Sequence, residues 1–500
     1  MTRSVVRTAP NEPETTATTA EDNHSRRWLV LGVVALAQLM VVLDATIVNI
    51  ALPSAQQALG FADTSRQWVV TAYALSFGSL LLFGGKLGDL FGRKRTFIIG
   101  LVGFALASAL GGAAESFGVL IGARVLQGVF GALLAPAALA TLATTFSDPK
   151  ERSKAFGIFG AVAGGGSAVG LVLGGFLTEW LSWRWCLYVN LVFAVLAVAG
   201  ALTWMTASRA PQRPKLDIPG TVLASLGLFS LVFGFSHAAT DGWVDTLTLS
   251  SLVAGVVLLV VFVVVQQRVS APLLPLRVVT DRVRGTCYAA VGLSAIAIFA
   301  VFLFLTYYLQ EVKGFSPIVS GVSFLPLTAG IVLSSTSANI VLLPRTGPRP
   351  LLPLGMALGA VGMFLLTRIT PTSGYTAHVL PSLVILGLGF GLIFAPAISS
   401  ATLGVQRADS GVASAMVNTM QQVGGSIGTA LLSTLAASAT AGFTTTATGP
   451  QAQVLAAVHG YTTAFFVSGC IFVVGAVMTA VLLPSGVLSA EREQQPVGAH

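Results

Sequence analysis

Charged residues are scarce in this sequence, and so is cysteine. Asp, Glu, Lys and Arg together make up 9% of the 500 residues, whereas soluble domains carry roughly 25%. This shortage, with 54% hydrophobic residues and a mean hydropathy of +0.83, excludes a soluble globular enzyme, a coiled coil and a disordered chain. Because a bilayer-spanning helix needs about 20 mostly apolar residues, the composition indicates many membrane spans.

Sites for metals, nucleotides and nucleic acids are also missing. Cys186, Cys287 and Cys470 lie far apart without metal-ligand spacing, and no His, Cys or carboxylate cluster shares a predicted depth, so we expect no metal and no enzyme activity. The chain lacks a Gly-x-x-x-x-Gly-Lys-Ser/Thr phosphate loop. We therefore expect no cofactor, and the energy source open to a membrane-spanning chain without a nucleotide site is the proton-motive force. The net charge of +8 is scattered between apolar runs, which argues against a nucleic-acid partner.

Fourteen apolar stretches, separated by charged or Gly/Pro-rich breaks, predict fourteen transmembrane helices. Their spacing indicates an all-α integral membrane protein with a 6+2+6 arrangement. No clean internal sequence repeat supports the two sixfold groups. The predicted segments are a disordered cytoplasmic N-tail (1–27), an N-terminal six-helix bundle (28–206), a linker with two additional helices (207–284), a C-terminal six-helix bundle (285–483) and a cytoplasmic C-tail (484–500).

The distribution of basic residues predicts the orientation. Of the 27 Lys and Arg, 22 fall on the predicted inner segments, and Lys and Arg accumulate in cytoplasmic segments of membrane proteins. Both termini are therefore predicted to be cytoplasmic, and the polar first 27 residues lack the pattern of a signal peptide. The excess of Arg over Lys, with abundant Ala, Gly and Val, is typical of GC-rich bacteria, so we expect a multi-pass protein of a bacterial plasma membrane.

Asp44 and Arg124 are the two charged residues predicted to lie deep in the membrane. At 1.5 Å per residue, Asp44 is about 24 Å from the inner face and Arg124 roughly 10 Å from the outer end of its helix, at a similar depth. A membrane carboxylate costs about 2.5–3.5 kcal/mol and marks functional pathways, so Asp44 is the predicted proton site and Arg124 its coupling partner. The alternatives are a hydrated structural carboxylate and a static ion pair.

The inner loop between helices 2 and 3 is predicted to act as a conformational latch. Glycines permit a tight reversal there, and an aspartate can face a helix N-terminus or neighbouring basic residues. Contacts of this kind, broken and remade as two halves rock, would hold one conformation; charge alone would indicate only an inner loop. The predicted latch residues are Gly85, Asp89, Gly92, Arg93 and Lys94.

Three motifs resemble those of the major facilitator superfamily. The loop from Gly85 to Arg95 resembles its Gly-x-Leu-x-Asp-x-x-Gly-Arg-Lys signature, and the run from Leu43 to Pro53 resembles the first-helix signature of its fourteen-helix drug:proton antiporters. Arg124 with Gln127, Gly128 and Gly131 matches the fourth-helix motif. The resemblance implies two helical halves that alternate access and exchange protons for drugs. Leu171 departs from it, standing where the family's antiporter motif usually has proline.

Small and polar residues complete the predicted site. A glycine row on helix 5 is predicted to pack closely against a neighbouring helix; its members include Gly166, Gly170, Gly174 and Gly175. Uncharged polar side chains are predicted to contact the substrate: Gln38, Asn49, Gln127, Tyr307, Asn339, Asn418, Gln421 and Gln422. Asn418, Gln421 and Gln422 belong to a polar stripe on the thirteenth predicted helix, for which hydrogen bonding between helices is an equal alternative. For Tyr307 the alternative is an interfacial aromatic belt.

These observations predict a proton-coupled antiporter that exports amphipathic drugs or antibiotics by alternating access. A single membrane carboxylate would have to balance the charge of both the proton and the cargo. We therefore expect neutral or monocationic substrates held by apolar walls and a few amides. The expected partners are this substrate, protons and the lipid bilayer, and we expect a functional monomer. The alternatives are a proton-coupled transporter of one dedicated metabolite and a membrane sensor without turnover.

Overall fold

Helices make up nearly all of the chain that the structure describes. This computed structural model describes residues 15–62, 65–146, 149–206, 217–269, 272–402, 410–444 and 451–484, and no β-strand occurs among them. Lipid offers backbone groups no hydrogen-bond partner, so helices, which satisfy those groups internally, are the expected form for such an apolar chain. The predicted all-α class is confirmed.

The helices follow one another with short connections. The first eight are α1 (Thr15–Leu59), α2 (Arg66–Phe91), α3 (Arg93–Gly112), α4 (Phe117–Thr145), α5 (Pro149–Trp180), α6 (Trp185–Trp204), α7 (Ile218–Asp241) and α8 (Thr246–Gln266). The others are α9 (Leu276–Thr280), α10 (Arg282–Tyr307), α11 (Pro317–Ser323), α12 (Leu325–Ser337), α13 (Leu343–Thr346), α14 (Pro348–Leu366), α15 (Leu380–Thr402), α16 (Ser410–Thr444) and α17 (Ala452–Leu482). Single π-helical turns extend α10, join α12 to α13 and precede α15.

Aspartates start three of these helices. The carboxylate of Asp217 accepts the backbone N–H of Gly220 at 2.8 Å, and Asp281 caps α10 in the same manner. Asp245 accepts the N–H groups of Leu247 and Thr248 at the start of α8. The bond from Thr248 is the largest reason that the pKa of Asp245 lies below its usual value. Because lipid cannot supply these acceptors, a polar cap fixes where a helix begins.

Twelve segments of the described chain are long and apolar enough to cross a membrane. Helices α11, α12 and α13 together form one of these segments, Pro317–Thr346. Helices α2 and α5 are not among the twelve. The start of α1 corrects one expectation. The disordered tail predicted for 1–27 is wrong from Thr15 onward, because a nucleated helix extends at little cost through residues without Gly or Pro. Residues 1–14 and 485–500 lie outside the described residues.

The same helix pairs pack together in two parts of the chain. In the N-half, defined as α1–α6, α1 packs on α5 and α6, α2 and α3 pack on α4, and α3 packs on α6. In the C-half, defined as α10–α17, α10 packs on α16 and α17, α12 and α14 on α15, and α14 on α17. The two halves therefore share one packing plan that their sequences do not display.

Matched glycine contacts support this repeat in detail. Gly128 of α4 faces Ser76 of α2, and Gly391 of α15 faces Ser334 of α12. A Cβ added to either glycine would lie 2.5 Å from a backbone oxygen of the facing helix, closer than real Cβ atoms approach. The serine hydroxyls donate to carbonyls of their own helices. The absence of a Cβ thus lets backbones meet at equivalent places in both halves.

The predicted glycine row of α5 lies along α1. Gly170 and Gly174 face Thr46 and Ile47 of α1, and Gly166 lies one turn earlier against the same helix. Gly175 instead faces the backbone of α11. In the C-half, Gly428 of α16 lies in the same way against Ile296 of α10. The row therefore serves one contact within the N-half and, through Gly175, a second contact with the C-half.

The halves meet through α5 with α11 and through α16 with α2. Helix α7 covers the second contact by packing on both α2 and α16, and α8 packs on α7. We define two ends of the bundle by the residues found there. The basic end contains Arg26, Arg27, Arg93 and Lys94. The far end is the end at which α1 finishes and α2 begins.

Replacing Gly128 with alanine should destabilise the protein. The added Cβ would meet the α2 backbone, so we expect a loss of about 1–3 kcal/mol from overpacking. Gly122→Ala on the same helix is the matched control, because nothing lies within 4 Å of its added Cβ and alanine favours a helix by ~1 kcal/mol. Thermal unfolding of the purified variants measures both, and equal midpoints would contradict the close contact.

Candidate functional site

Asp44 of α1 is fully buried, and its carboxylate accepts three side-chain hydrogen bonds. Nη1 of Arg124 donates to Oδ2 at 2.6 Å. The amide nitrogens of Gln127 and Asn190 each donate to Oδ1 at 2.8 Å. The donors come from α4 and α6, so three helices of the N-half converge on one anion. Charge-assisted bonds of this kind stabilise the ionised carboxylate strongly.

Arg124 is held on every side by the N-half. Its Nε donates to the carbonyl oxygen of Val69 at 3.0 Å, and Nη1 also donates to Oε1 of Gln127 at 2.9 Å. The guanidinium carbon lies 4.5 Å from the centre of the Tyr73 ring, which adds a cation–π contact. Two contacts to α2 therefore remain even if the carboxylate of Asp44 is neutralised.

Ser108 and Asn190 complete the network, and neither is among the predicted site residues. Oγ of Ser108 accepts from the amide of Gln127 at 2.8 Å and from that of Asn190 at 3.2 Å. A serine in an apolar helix usually bonds to its own backbone, so Ser108 offers no sequence signal. Asn190 does offer one, because it is an amide within an apolar span. We call Asp44, Ser108, Arg124, Gln127 and Asn190 the carboxylate network.

Two residues predicted to contact substrate lie elsewhere than expected. Gln127 is fully buried, and both its amide atoms are bonded within the carboxylate network, so the substrate contact assigned to it does not fit. Tyr307 is also buried, with its hydroxyl donating to Gln56 at 3.1 Å, rather than lining an open vestibule or an aromatic belt. Both assignments relied on polarity and depth, which do not show what a side chain faces.

The other predicted substrate residues are spread over both halves. Asn49 is buried on α1 and donates to Ala45 of its own helix. Asn339 is exposed and accepts from Ser399 at 3.1 Å, while Gln38 is half-buried. On α16 the stripe is partly accessible. Gln421 is exposed, Asn418 is half-buried and Gln422 lies against Gly78 of α2. The stripe therefore reaches the contact between the halves, and its role stays a prediction.

The predicted latch loop is a sharp turn whose lysine binds within the N-half. Gly92 has a φ of +91°, a backbone conformation that favours glycine. Nζ of Lys94 donates to carbonyls at the end of α6, at 2.6 and 3.0 Å, so this lysine does not bridge the halves here. Arg93 is half-buried, and Gly85 lies near Pro136 of α4. The side chain of Asp89 lies outside the described residues.

No group of three His, Cys, Asp or Glu side chains is placed to hold a metal ion within the described ranges. A space of about 10 Å³ adjoins Arg124 and is lined otherwise by apolar residues such as Leu120 and Trp183. That volume is about one water-sized sphere. The side chains around Arg124 are therefore tightly packed at this place.

Comparison with known proteins assigns the family. Residues 34–429 match the model of the Major Facilitator Superfamily. The chain belongs to that superfamily. A puromycin resistance protein of Streptomyces alboniger is 50% identical over 469 residues, 93% of each chain. A cephamycin export protein of Amycolatopsis lactamdurans is 38% identical over 443 residues, 88% of this chain and 89% of the relative.

The fold agrees with that membership. A crystal structure of an autoinhibited peptide transporter of the POT family superposes with a TM-score of 0.65 at 15% identity, over 91% of this chain and 97% of that chain. At this identity the likeness concerns the fold alone. The resemblance read from the motifs is confirmed, and the chain is a multi-pass membrane transporter of the major facilitator superfamily.

Polar contacts join the two facilitator halves at the far end. Arg66 of α2 forms an ion pair with Glu311 at 3.5 Å, and its guanidinium lies 3.8 Å from the Tyr307 ring centre. Tyr307 in turn bonds Gln56 of α1, and Gln310 donates to the carbonyl of Ile50 at 3.1 Å. These contacts connect α1 and α2 with the end of α10, so the far end is closed.

The same end is closed a second time between α5 and α11. Glu179 accepts the backbone N–H of Ile318 at 3.1 Å. A Cβ at Gly175 would lie 2.5 Å from the Cα of Ile318, and one at Gly321 would lie 2.3 Å from the carbonyl oxygen of Leu171. Leu171, the departure from the family's proline, thus lies with its backbone in this contact.

Neutralising both charges of the central pair should cost less than neutralising each alone. Asp44→Asn and Arg124→Gln each leave one buried charge without its partner, which costs about 3–5 kcal/mol. The double variant leaves no unpaired charge, so its loss should be well below the sum of the two single losses. Thermal unfolding of the four proteins in one detergent measures this, and additive losses would contradict a buried ion pair.

Proposed function

We propose that the chain is a proton-coupled antiporter that exports amphipathic drugs or antibiotics by alternating access. The observation that carries the proposal is the carboxylate network: a fully buried Asp44 bonded to Arg124 at 2.6 Å inside a membrane transporter. Intramembrane carboxylates of transporters mark proton relays. The transporter fold supplies the two halves, and the carboxylate supplies the group that binds the proton.

Proton binding would change what the network can hold. The ionised Asp44 accepts three donors, whereas a protonated carboxyl group would turn one oxygen into a donor that faces these N–H groups and would lose its charge attraction to Arg124. Arg124 would keep its bonds to Val69 and Gln127. The proton thus loosens α1 from α4 while α4 stays attached to α2. Each proton carried inward releases about 2.3 kcal/mol per 100 mV of membrane potential.

Buried polar atoms offer a route for that proton from the far end. Atoms without a hydrogen-bond partner include Oδ1 of Asn49, Nε2 of Gln67, Oγ1 of Thr71 and Oδ1 of Asn190. Gln67 and Thr71 are one turn apart at the start of α2, next to the far end. Buried polar groups of this kind are usually bonded to water. We assign them to a hydrated path that opens when the far end opens.

The full membrane arrangement is part of the proposal. Helices α2 and α5 have 26 and 32 residues, enough to cross a bilayer, and both pack inside the N-half. With them the twelve apolar segments become fourteen crossings, arranged as an N-terminal bundle (28–206), a two-helix linker (207–284) and a C-terminal bundle (285–483). The shared packing plan supports the two sixfold bundles. An even number of crossings would put both termini on one side of the membrane, and the cations of the basic end support the cytoplasmic side.

The proposed cargo is a neutral or monocationic amphipathic compound. The relatives named for puromycin resistance and cephamycin export support an antibiotic-class cargo. The accessible residues of the α16 stripe are amides, which can bond a polar group without requiring a charge. We propose that Asn418, Gln421 and Gln422 contact the cargo, with Gln38, Asn49 and Asn339 as further contacts. Puromycin is the first compound to test.

Replacing Asp44 with asparagine should abolish proton-coupled export. The amide keeps the shape of the carboxylate but cannot carry the proton, so proteoliposomes should bind puromycin yet release no protons on its addition. Asp217→Asn is the matched control, because Asp217 is also a buried carboxylate but caps α7 outside the carboxylate network. It should retain proton release. Release by Asp44→Asn at the wild-type rate would contradict the site, and puromycin transport without any pH dependence would contradict antiport.

Replacing Gly175 with alanine should open the far end. Its Cβ would meet the backbone of α11, which cannot move aside as a side chain can. Spin labels at the exposed positions Trp180 and Val319 should therefore show longer distances than in the wild type. Gly165→Ala on the same helix is the control, since nothing lies within 4 Å of its Cβ. Identical distance distributions in all three proteins would contradict this role of Gly175.

A further inference from the structure

A cavity of about 300 Å³ lies at the basic end of the N-half, and the proposed export does not use it. Residues from α1, α3, α4 and α6 line it, so its lining belongs to the N-half. Its volume is at the lower end of the range for small-molecule sites, ~300–1,000 Å³. Its basic side chains are Arg26, Arg27, Arg93 and Lys94.

The charge of the cavity is strongly one-sided. Four of the residues that line it are cationic, and none of the lining residues is acidic. Glu151 pairs with one of these cations, its Oε2 lying 3.5 Å from Nη1 of Arg27. A cleft lined by four cations and by no acidic residue concentrates anions. The cavity therefore selects for negative charge.

Backbone contacts hold two of these cations in place. Nε of Arg26 donates to the carbonyl of Trp204 at 3.1 Å, and Nζ of Lys94 donates to Leu202 and Met205. A guanidinium has five N–H donors and an ammonium has three, so these bonds orient each group without using all its donors. The need to cap the carbonyl end of α6 would explain the bonds made by Arg26 and Lys94. It would not explain the recess itself or the presence of Arg27 and Arg93 in its lining.

Helix α3 adds further donors at the same place. It begins at Arg93, which lines the cavity, and its first turn contains no acidic residue and no side-chain cap. The first N–H groups of a helix have no partner within the helix, and its N-terminal end carries partial positive charge. Combined with four cationic side chains that line one recess, these groups match the three acceptor oxygens of a phosphate.

We propose that this cavity binds a phosphate-bearing anion, either the headgroup of an anionic phospholipid or a soluble phosphate. Basic pockets between transmembrane helices bind anionic headgroups. Trp204 lines the cavity and Leu202 lies on the same last turn of α6, and the exposure of both offers apolar surface for an acyl chain. Bound phosphate would tie α1 to α3 at the basic end and so stabilise the N-half.

The test uses the full-length protein and the double variant Arg26→Gln/Arg27→Gln. Neither arginine belongs to the carboxylate network or the predicted latch. Arg282→Gln is the matched control, because Arg282 at the start of α10 donates to the carbonyl of Val481 at the end of α17 at 3.1 Å, as Arg26 does to α6. It removes the same kind of cap in the other half. Thermal unfolding is measured against vesicles of phosphatidylcholine with increasing phosphatidylglycerol, and separately in detergent with inorganic phosphate.

Phosphatidylglycerol should raise the unfolding temperature of the wild type in a saturable way. The double variant should require about tenfold more of it, since two charge-assisted bonds are lost, while Arg282→Gln should respond like the wild type. A shift produced equally by inorganic phosphate would assign the site to a soluble anion, and a shift with phosphatidylglycerol alone would assign it to lipid. An unchanged response of the double variant, an equal loss in Arg282→Gln, or no shift of the wild type with either probe would overturn the proposal.

Discussion

A charge in a hydrocarbon environment must be paired, and this constraint organises the N-half. Asp44 and Arg124 are each 0–1% exposed, and neither would be stable there without the other. The pair needs further partners, because a carboxylate and a guanidinium have more acceptors and donors than one contact satisfies. Gln127, Asn190 and the carbonyl of Val69 supply them. The ion pair is thus enclosed where α1, α2, α4 and α6 converge.

The C-half shows what the same helices do without charges. Counting from the matched glycine contacts between helices, Leu293 of α10 stands where Asp44 does, and Gly387 of α15 stands where Arg124 does. Leu293 packs against the apolar core, and Gly387 allows the backbone of α12 to approach. Packing replaces ion pairing at this depth. The packing plan therefore does not need the charges, and the N-half carries them for another purpose.

Rare residues could be predicted from the sequence, and common ones could not. A single carboxylate and a single guanidinium within long apolar stretches are conspicuous, so Asp44 and Arg124 were identified by depth alone, and they contact each other. Ser108 could not be singled out in the sequence, because apolar helices contain many serines. Tyr307 and Gln127 are predicted to contact substrate but are buried and bonded to protein side chains, because periodicity does not specify which neighbour a helix face meets. The two halves repeat the same backbone contacts at glycines. Different side chains can surround such contacts, so the two sequences need not resemble each other.

The carboxylate network and the closure of the far end share one turn of helix. Arg66, which pairs with Glu311 of the C-half, lies three residues before Val69, whose carbonyl accepts from Arg124. Residues three apart are neighbours on a helix surface and move together as a rigid element. Since the guanidinium is held by Asp44 on one side and by α2 on the other, a change in the charge of Asp44 alters the force on the segment that carries Arg66. In the proposed antiport cycle, proton binding at Asp44 and opening of the far end are thus linked through the first turn of α2, without any additional moving part.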